Sequence, residues 1–125
     1  MTSLIISTLS GLHLIGDLYQ CDPTHLSDST WLRKRCPQLC TDAGLTVLGD
    51  FFHQFGDDGF TGTLVLAESH IAIHTWPETS TVALDVFVCN HSRDNSDKAQ
   101  QLFNDVLKLL KPKEVIRQAV QRGRL

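Results

Sequence analysis

Residues 64–78 read LVLAESHIAIHTWPE, and most of the side chains able to do chemistry lie in this stretch or beside it. Leu64, Val65, Leu66 and Ala67 form an apolar run, Glu68-Ser69 interrupts it, and Ile71 and Ile73 alternate with His70, Ala72 and His74 until Trp76-Pro77 ends the pattern. Alternation at period two belongs to strands, so the stretch predicts two strands, or one bent strand, broken by an acid and a hydroxyl. A serine, two histidines and two carboxylates within eleven residues of apolar scaffold suit a plain sheet badly, because every inward polar group needs a partner. The stretch is therefore a candidate site.

Before it, Thr46 to Phe55 and Phe60 to Ala67 read as strands joined by the turn Gly56-Asp57-Asp58-Gly59, which has too few ligands for a calcium loop. After it, Thr81 to Cys89 puts Val82, Leu84, Val86 and Val88 on one face and Ala83, Asp85, Phe87 and Cys89 on the other. Cys89 thus points away from the more apolar side. Asn95 or Ser96 caps an amphipathic helix carrying Ala99, Leu102, Phe103, Val106, Leu109 and Leu110, with Lys108 and Lys111 near its end and Pro112 stopping it. Glu114 to Val120 reads as a last strand, followed by the polar tail 121–124.

Towards the N-terminus, residues 1–10 read as a loose lead-in and Gly11 to Gln20 as a strand, with Leu12, Leu14 and Leu18 facing one way and His13, Asp17 and Tyr19 the other. Ser27, Asp28 or Ser29 caps a helix whose apolar positions are Trp31, Leu32, Cys36, Leu39, Cys40 and Ala43, and Gly44 closes it. Pro37 lies inside this pattern and predicts a kink or two short helices. The order β-α-β-β-β-β-α-β predicts an α+β two-layer sandwich: a largely antiparallel sheet with two main helices on one face. Its other face is left to carry a site or to meet a second sheet.

With 125 residues, 42% of them hydrophobic and 20% charged, the chain is long enough for one domain with a real core. A net charge of -3 argues against nucleic acid, and Arg33-Lys34-Arg35 reads as a solvated helix face. The opening MTSLIISTLS lacks a basic leader and is too short to span a bilayer. Cys21, Cys36, Cys40 and Cys89 show no paired CxxC spacing, so the expectation is free thiols in a reducing cytoplasm, with Cys36 and Cys40 packed in the core. His13, His25, His53 and His91 read as structural, and Trp76-Pro77 as a strand stop with a packed ring. Ser69 has no GxSxG elbow around it. His70 and His74 would lie about 13 Å apart along a strand, and HExxH is absent, so no metal is expected.

The segment AESHIAIHTWPE resembles the self-processing segment of the S-adenosylmethionine decarboxylase proenzymes of the short prokaryotic class. GLHLIGDLYQCD, FHQF, GFTG and LDVFVCN extend the resemblance over most of the chain in the same order. It implies that the Ser69 hydroxyl attacks the Glu68 carbonyl, that the chain divides into residues 1–68 (beta chain) and 69–125 (alpha chain), and that Ser69 becomes a covalently derived pyruvoyl group. Such a carbonyl forms a Schiff base with the substrate amine and takes up the electrons left when carbon dioxide departs, the task a bound pyridoxal performs elsewhere.

The resemblance further implies His74 as the processing histidine, Thr61 in place of a serine that assists processing, and Cys89 as the proton donor to the substrate. Phe55 and Glu78 match positions that contact adenine and ribose. Strand alternation places Ser69 and His74 on opposite faces, so the strand bends near Ser69 or a partner chain completes the site; the family's dimers, with sites near the subunit interface, allow either. A homodimer of cleaved protomers is expected. The family's proline-containing loop and GVSG are replaced here by Gly56-Asp57-Asp58-Gly59 and Gly59-Phe60-Thr61-Gly62, and its glycine-tyrosine pair by Thr79, Ser80 and Thr81. Three functions follow: decarboxylation of S-adenosylmethionine for spermidine synthesis, decarboxylation of a basic amino acid (arginine or ornithine), or ligand binding by a non-catalytic fold relative.

Overall fold

A computed structural model describes residues 10–91 and 93–123. Six strands form one sheet: β1 (Ser10–Tyr19), β2 (Val47–Gln54), β3 (Phe60–Leu66), β4 (Ser69–Trp76), β5 (Thr81–Cys89) and β6 (Glu114–Gly123), in the spatial order β2-β3-β4-β5-β1-β6. Every neighbouring pair is antiparallel. The helices are α1 (Ser29–Asp42) and α2 (Ser96–Leu110), as the α+β sandwich requires. Residues 1–9 of the expected lead-in 1–10, and Arg124 of the expected tail, lie outside the described residues, whereas Ser10 opens β1.

The period-two pattern places the core. Leu12, Leu14 and Leu18 of β1, Phe60, Leu64 and Leu66 of β3, Ile71 and Ile73 of β4, and Val82, Leu84, Val86 and Val88 of β5 are all buried on one sheet face. Leu32, Cys36 and Cys40 of α1 and Ala99, Leu102, Phe103, Val106 and Leu110 of α2 cover them. Each fully buried large apolar side chain contributes about 1.5–3 kcal/mol relative to exposure, so this face holds the fold together.

Two local expectations are corrected. Pro37 does not split the first helix: α1 runs unbroken through it. The bond that Pro37 cannot donate would have gone to the carbonyl of Arg33, an exposed position that solvent can reach. The last strand continues past Val120 to Gly123, because β1 offers ladder partners as far as Ser10. Asp28 proves to be the cap of α1, its carboxylate accepting the Trp31 N–H at 3.2 Å.

The opposite sheet face carries no helix. Its cross-strand rows, fixed by the register, include Val65, His70, Phe87, His13 and Val120 in one line and His53, Thr61, His74, Ala83, Asp17 and Ile116 in another. Val65 is 52% exposed, Ile116 47% and Phe51 67%, so this face is an uncovered apolar surface with histidines and acids set into it. The basic run on α1 is engaged locally: Arg33 pairs with Asp50 at 3.3 Å, and the Arg35 guanidinium lies 4.7 Å from the centre of the Trp31 ring.

Candidate active site

The Glu68-Ser69 break is a two-residue hairpin turn, Ala67-Glu68, between β3 and β4. The Ala67 N–H donates to the Thr46 carbonyl at 2.9 Å, pinning the turn to the segment before β2. Glu68 takes a left-handed conformation (φ 58°), which costs a residue with a Cβ about 1–2 kcal/mol. Its carbonyl oxygen accepts the Cys89 N–H at 3.1 Å. A fixed donor on that oxygen polarises the carbonyl and stabilises charge that develops there under attack.

Ser69 follows immediately, in register with Leu66 and Val88 and facing the core. Its hydroxyl is buried with no hydrogen-bond partner. Such an orphan costs about 1–3 kcal/mol. A nucleophile next to a polarised, strained peptide accounts for it, and so does conversion of this residue into a group without a hydroxyl. The chemistry of this end therefore fits a ketone derived from Ser69.

Cys89 ends β5 on the free face, half-buried, its thiol 4.0 Å from the Ser10 carbonyl. It lines a cavity of about 320 Å³ with His70, Phe87 and Arg122, whose guanidinium sits 5.1 Å from the Phe87 ring centre. The other thiols belong to the core: burial pushes Cys21 and Cys40 up to about 11 and Cys36 up to about 12. Burial also holds His70 below the ordinary histidine value, helped by nearby His13 and opposed by Asp85.

The remaining expected residues gather at the other end of β4. His74 Nδ1 lies 3.0 Å from the Thr61 hydroxyl, directly across the β3–β4 ladder. Phe55, Asp58, Thr61, His74, Trp76 and Glu78 line one cavity of about 310 Å³. Ser69 and His74 are thus not brought together. β4 is unbroken between them, so the strand does not bend, and five residues at about 3.3 Å each leave roughly 16 Å.

Thr75 and the wall role of Trp76 escaped the sequence reading, whereas Asp58 was noted there in the loop that replaces the family's. Trp76 is 45% exposed and forms a cavity wall, rather than a packed strand stop, its ring centre 6.2 Å from that of His74. Asp58 lines the same wall, and its place in the loop that departs from the related sequences was the available signal. Thr75 is buried, and its hydroxyl takes the Phe60 N–H at 2.9 Å while donating to the Leu26 carbonyl at 2.7 Å. That bond replaces the next rung of the ladder, so β3 leaves β4 just beyond Thr61 and the cavity opens there. Gly59 is required at this point: a Cβ would lie 2.0 Å from the Thr75 carbonyl oxygen. Among the described residues no group of three or more histidine, cysteine or carboxylate side chains is placed to hold a metal.

The family model described as S-adenosylmethionine decarboxylase matches residues 12–123. The chain belongs to the S-adenosylmethionine decarboxylase family. Within this family it is 44% identical over 100 residues to the S-adenosylmethionine decarboxylase proenzyme of Synechococcus sp. (strain WH7803), covering 80% of this chain and 77% of that protein. It is 38% identical over 113 residues to the proenzyme of Persephonella marina, covering 90% and 82%. The crystal structure of the adenosylmethionine decarboxylase from Aquifex aeolicus superposes with a TM-score of 0.84 at 32% identity, covering 94% of this chain and 93% of that one. An adenosylmethionine decarboxylase fold and the geometry of the Glu68-Ser69 hairpin therefore coincide in one chain.

Proposed function

We propose that this chain cuts itself between Glu68 and Ser69, converts Ser69 into a pyruvoyl group, and decarboxylates S-adenosylmethionine to the aminopropyl donor for spermidine. The observation that carries the reading is the orphaned Ser69 hydroxyl beside a left-handed Glu68 whose carbonyl is held by the Cys89 N–H. The family's enzymes act on S-adenosylmethionine, and the precursor name of the relatives implies processing. The pyruvoyl carbonyl, once formed, supplies the electron sink that decarboxylation of an amino acid needs and that no ordinary side chain provides.

Around it the chain's own residues divide the work. Ser69 Oγ attacks the Glu68 carbonyl carbon while the Cys89 N–H steadies the oxygen. His74, with its ring fixed by Thr61, moves protons during cleavage, a task suited to imidazole near neutral pH. The Cys89 thiol, on the free face, holds the proton returned to the substrate carbon. Phe55 and Trp76 offer flat apolar surfaces to adenine, and Glu78 accepts ribose hydroxyls.

The separation of Ser69 from His74 supports a homodimer. Two free faces packed about a two-fold axis lying between them and across the strands would set the Thr61-His74 end of one protomer over the Ser69-Cys89 end of its partner. Burial of Phe51, Val65, Ile116 and Val120 favours that arrangement. We place the protein in the cytoplasm, where its thiols stay reduced; among the described residues no helix is long and apolar enough to cross a membrane. Release of carbon dioxide from carboxyl-labelled S-adenosylmethionine, arginine and ornithine tests the substrate. Release from S-adenosylmethionine alone is expected, and release from arginine or ornithine instead would overturn the assignment.

A further inference from the structure

A cavity of about 220 Å³ opens beside the hairpin tip, between Glu68, the segment leading into β2 and the start of α2. Arg93 and Lys98 are its cations, and Glu68 is its acid. Asp94 and Asp97 lie on the same segment but do not line it, and the Asp94 carboxylate is taken by the Ser96 N–H at 2.9 Å. Lys98 lies across Gly44, where a Cβ would stand 3.3 Å from Cε and 3.7 Å from Nζ. Gly44 has φ 85°, so a side chain there is disfavoured twice over. Asn95 is buried in the same wall, and its amide donates to the Cys89 carbonyl at 2.9 Å, while the Cys89 N–H donates to the Glu68 carbonyl. The start of α2 is therefore linked through one residue, Cys89, to the oxygen of the scissile bond.

We propose that this cavity receives the carboxylate released from residue 68, with Arg93 and Lys98 as the groups that hold it. The assignment rests on the cleavage reading above and extends it to the leaving group. Attack by Ser69 Oγ breaks the Glu68–Ser69 C–N bond and forms an ester, and the hydroxyl proton ends on the freed Ser69 amine. Loss of the Ser69 Cα proton then breaks the Cβ–Oγ bond, and the electron pair departs on the residue 68 carboxylate, leaving a dehydroalanine. Water replaces ammonia to complete the ketone. A neutral amide oxygen thus becomes part of an anion on a residue that lines the same cavity as two cations. The cut raises the acids of residue 68 from one to two, which matches the two cations. Charge-assisted contacts to the departing oxygens favour elimination over return to the amide.

The test follows freshly translated chains by denaturing mass spectrometry, with and without hydroxylamine. Hydroxylamine attacks the ester at residue 68 and leaves a hydroxamate there and an unmodified Ser69 at the new terminus. The double change Arg93→Gln and Lys98→Gln is expected to lengthen the life of the hydroxylamine-cleavable ester roughly tenfold or more. The charge-keeping pair Arg93→Lys and Lys98→Arg is expected to recover most of the rate that the glutamine pair loses. Should the glutamine pair fail to fold by circular dichroism, each single glutamine change is expected to lengthen the ester's life in the same way. Maturation of the glutamine variants at the wild-type rate would overturn the assignment, and so would an uncut amide insensitive to hydroxylamine. A wild-type chain that never divides would instead refute the cleavage reading itself.

Discussion

Ser69 and His74 occupy one unbroken strand on opposite faces of the sheet, with roughly 16 Å of backbone between them. No side-chain rotation spans that distance, so His74 can serve Ser69 only from another copy of the chain, as in the homodimer proposed above. Assembly and catalysis are then one question. A single charge on the free face at a residue that lines neither cavity, Val65→Asp or Ile116→Asp, should yield a folded monomer in sedimentation that matures slowly. A monomer that matures and turns over normally would show that one protomer suffices.

His74 and Thr61 can be separated from the nucleophile by processing rate. His74→Ala is expected to slow cleavage by about 10²–10⁴-fold, the usual contribution of a positioned acid–base group. Thr61→Val should slow it less, since the imidazole remains and only its 3.0 Å partner is lost. Time courses on denaturing gels read both, and unchanged cleavage in His74→Ala would remove that residue from the process.

The orphaned hydroxyl makes a thermodynamic prediction that needs no turnover. In freshly made chains of a His74→Ala background, measured before the slowed cleavage proceeds, adding Ser69→Ala should raise stability by about 1 kcal/mol or more, because a buried unpaired polar atom disappears. Chemical denaturation measures the difference. A loss of stability would mean that the hydroxyl has a partner.

Thr75 tests how the cavity is held open. Thr75→Val keeps the shape but removes both bonds of the hydroxyl, leaving the Phe60 N–H unpaired. A loss of roughly 1–3 kcal/mol is expected, with a raised KM for S-adenosylmethionine and restoration by Thr75→Ser. Equal behaviour of the valine and serine variants would show that the hydroxyl plays no part.

Most of the fold was legible because the strand and helix periods are clean: the alternation in β5 and the stripe of α2 each name their buried face without ambiguity. Pro37 misled because a proline's effect depends on whether water can reach the carbonyl it deprives, which depends on tertiary context. The candidate segment was visible as polar residues in an apolar run. Its division between two ends of a strand followed from parity and spacing, whereas the cavity that joins Trp76 and Asp58 to Phe55 and Glu78 did not. Those four come from the two ends of separate hairpins, and no local pattern encodes their meeting. Thr75 was hidden for a similar reason, since a threonine in a strand looks like ordinary β-propensity until its partners at Phe60 and Leu26 are known.

The His70 pKa sets a pH dependence. Its folded value lies below the ordinary 6.5, so in the window beneath 6.5 the unfolded chain binds the proton more readily. This group therefore contributes stability that is full above pH 6.5 and is lost as pH falls through the folded value. Replacing His70 by Gln should flatten that part of the stability profile, as read by thermal melts across the range. An unaltered slope would assign the dependence to other groups.

Self-cleavage stands or falls on the mass and terminal chemistry of the piece that begins at residue 69. Denaturing mass spectrometry of the purified chain should show two pieces, residues 1–68 and 69–125, the second lighter by one ammonia than a piece beginning with serine and shifted by reaction with a hydrazine. A single chain of 13.9 kDa that persists on incubation and ignores the hydrazine would contradict it.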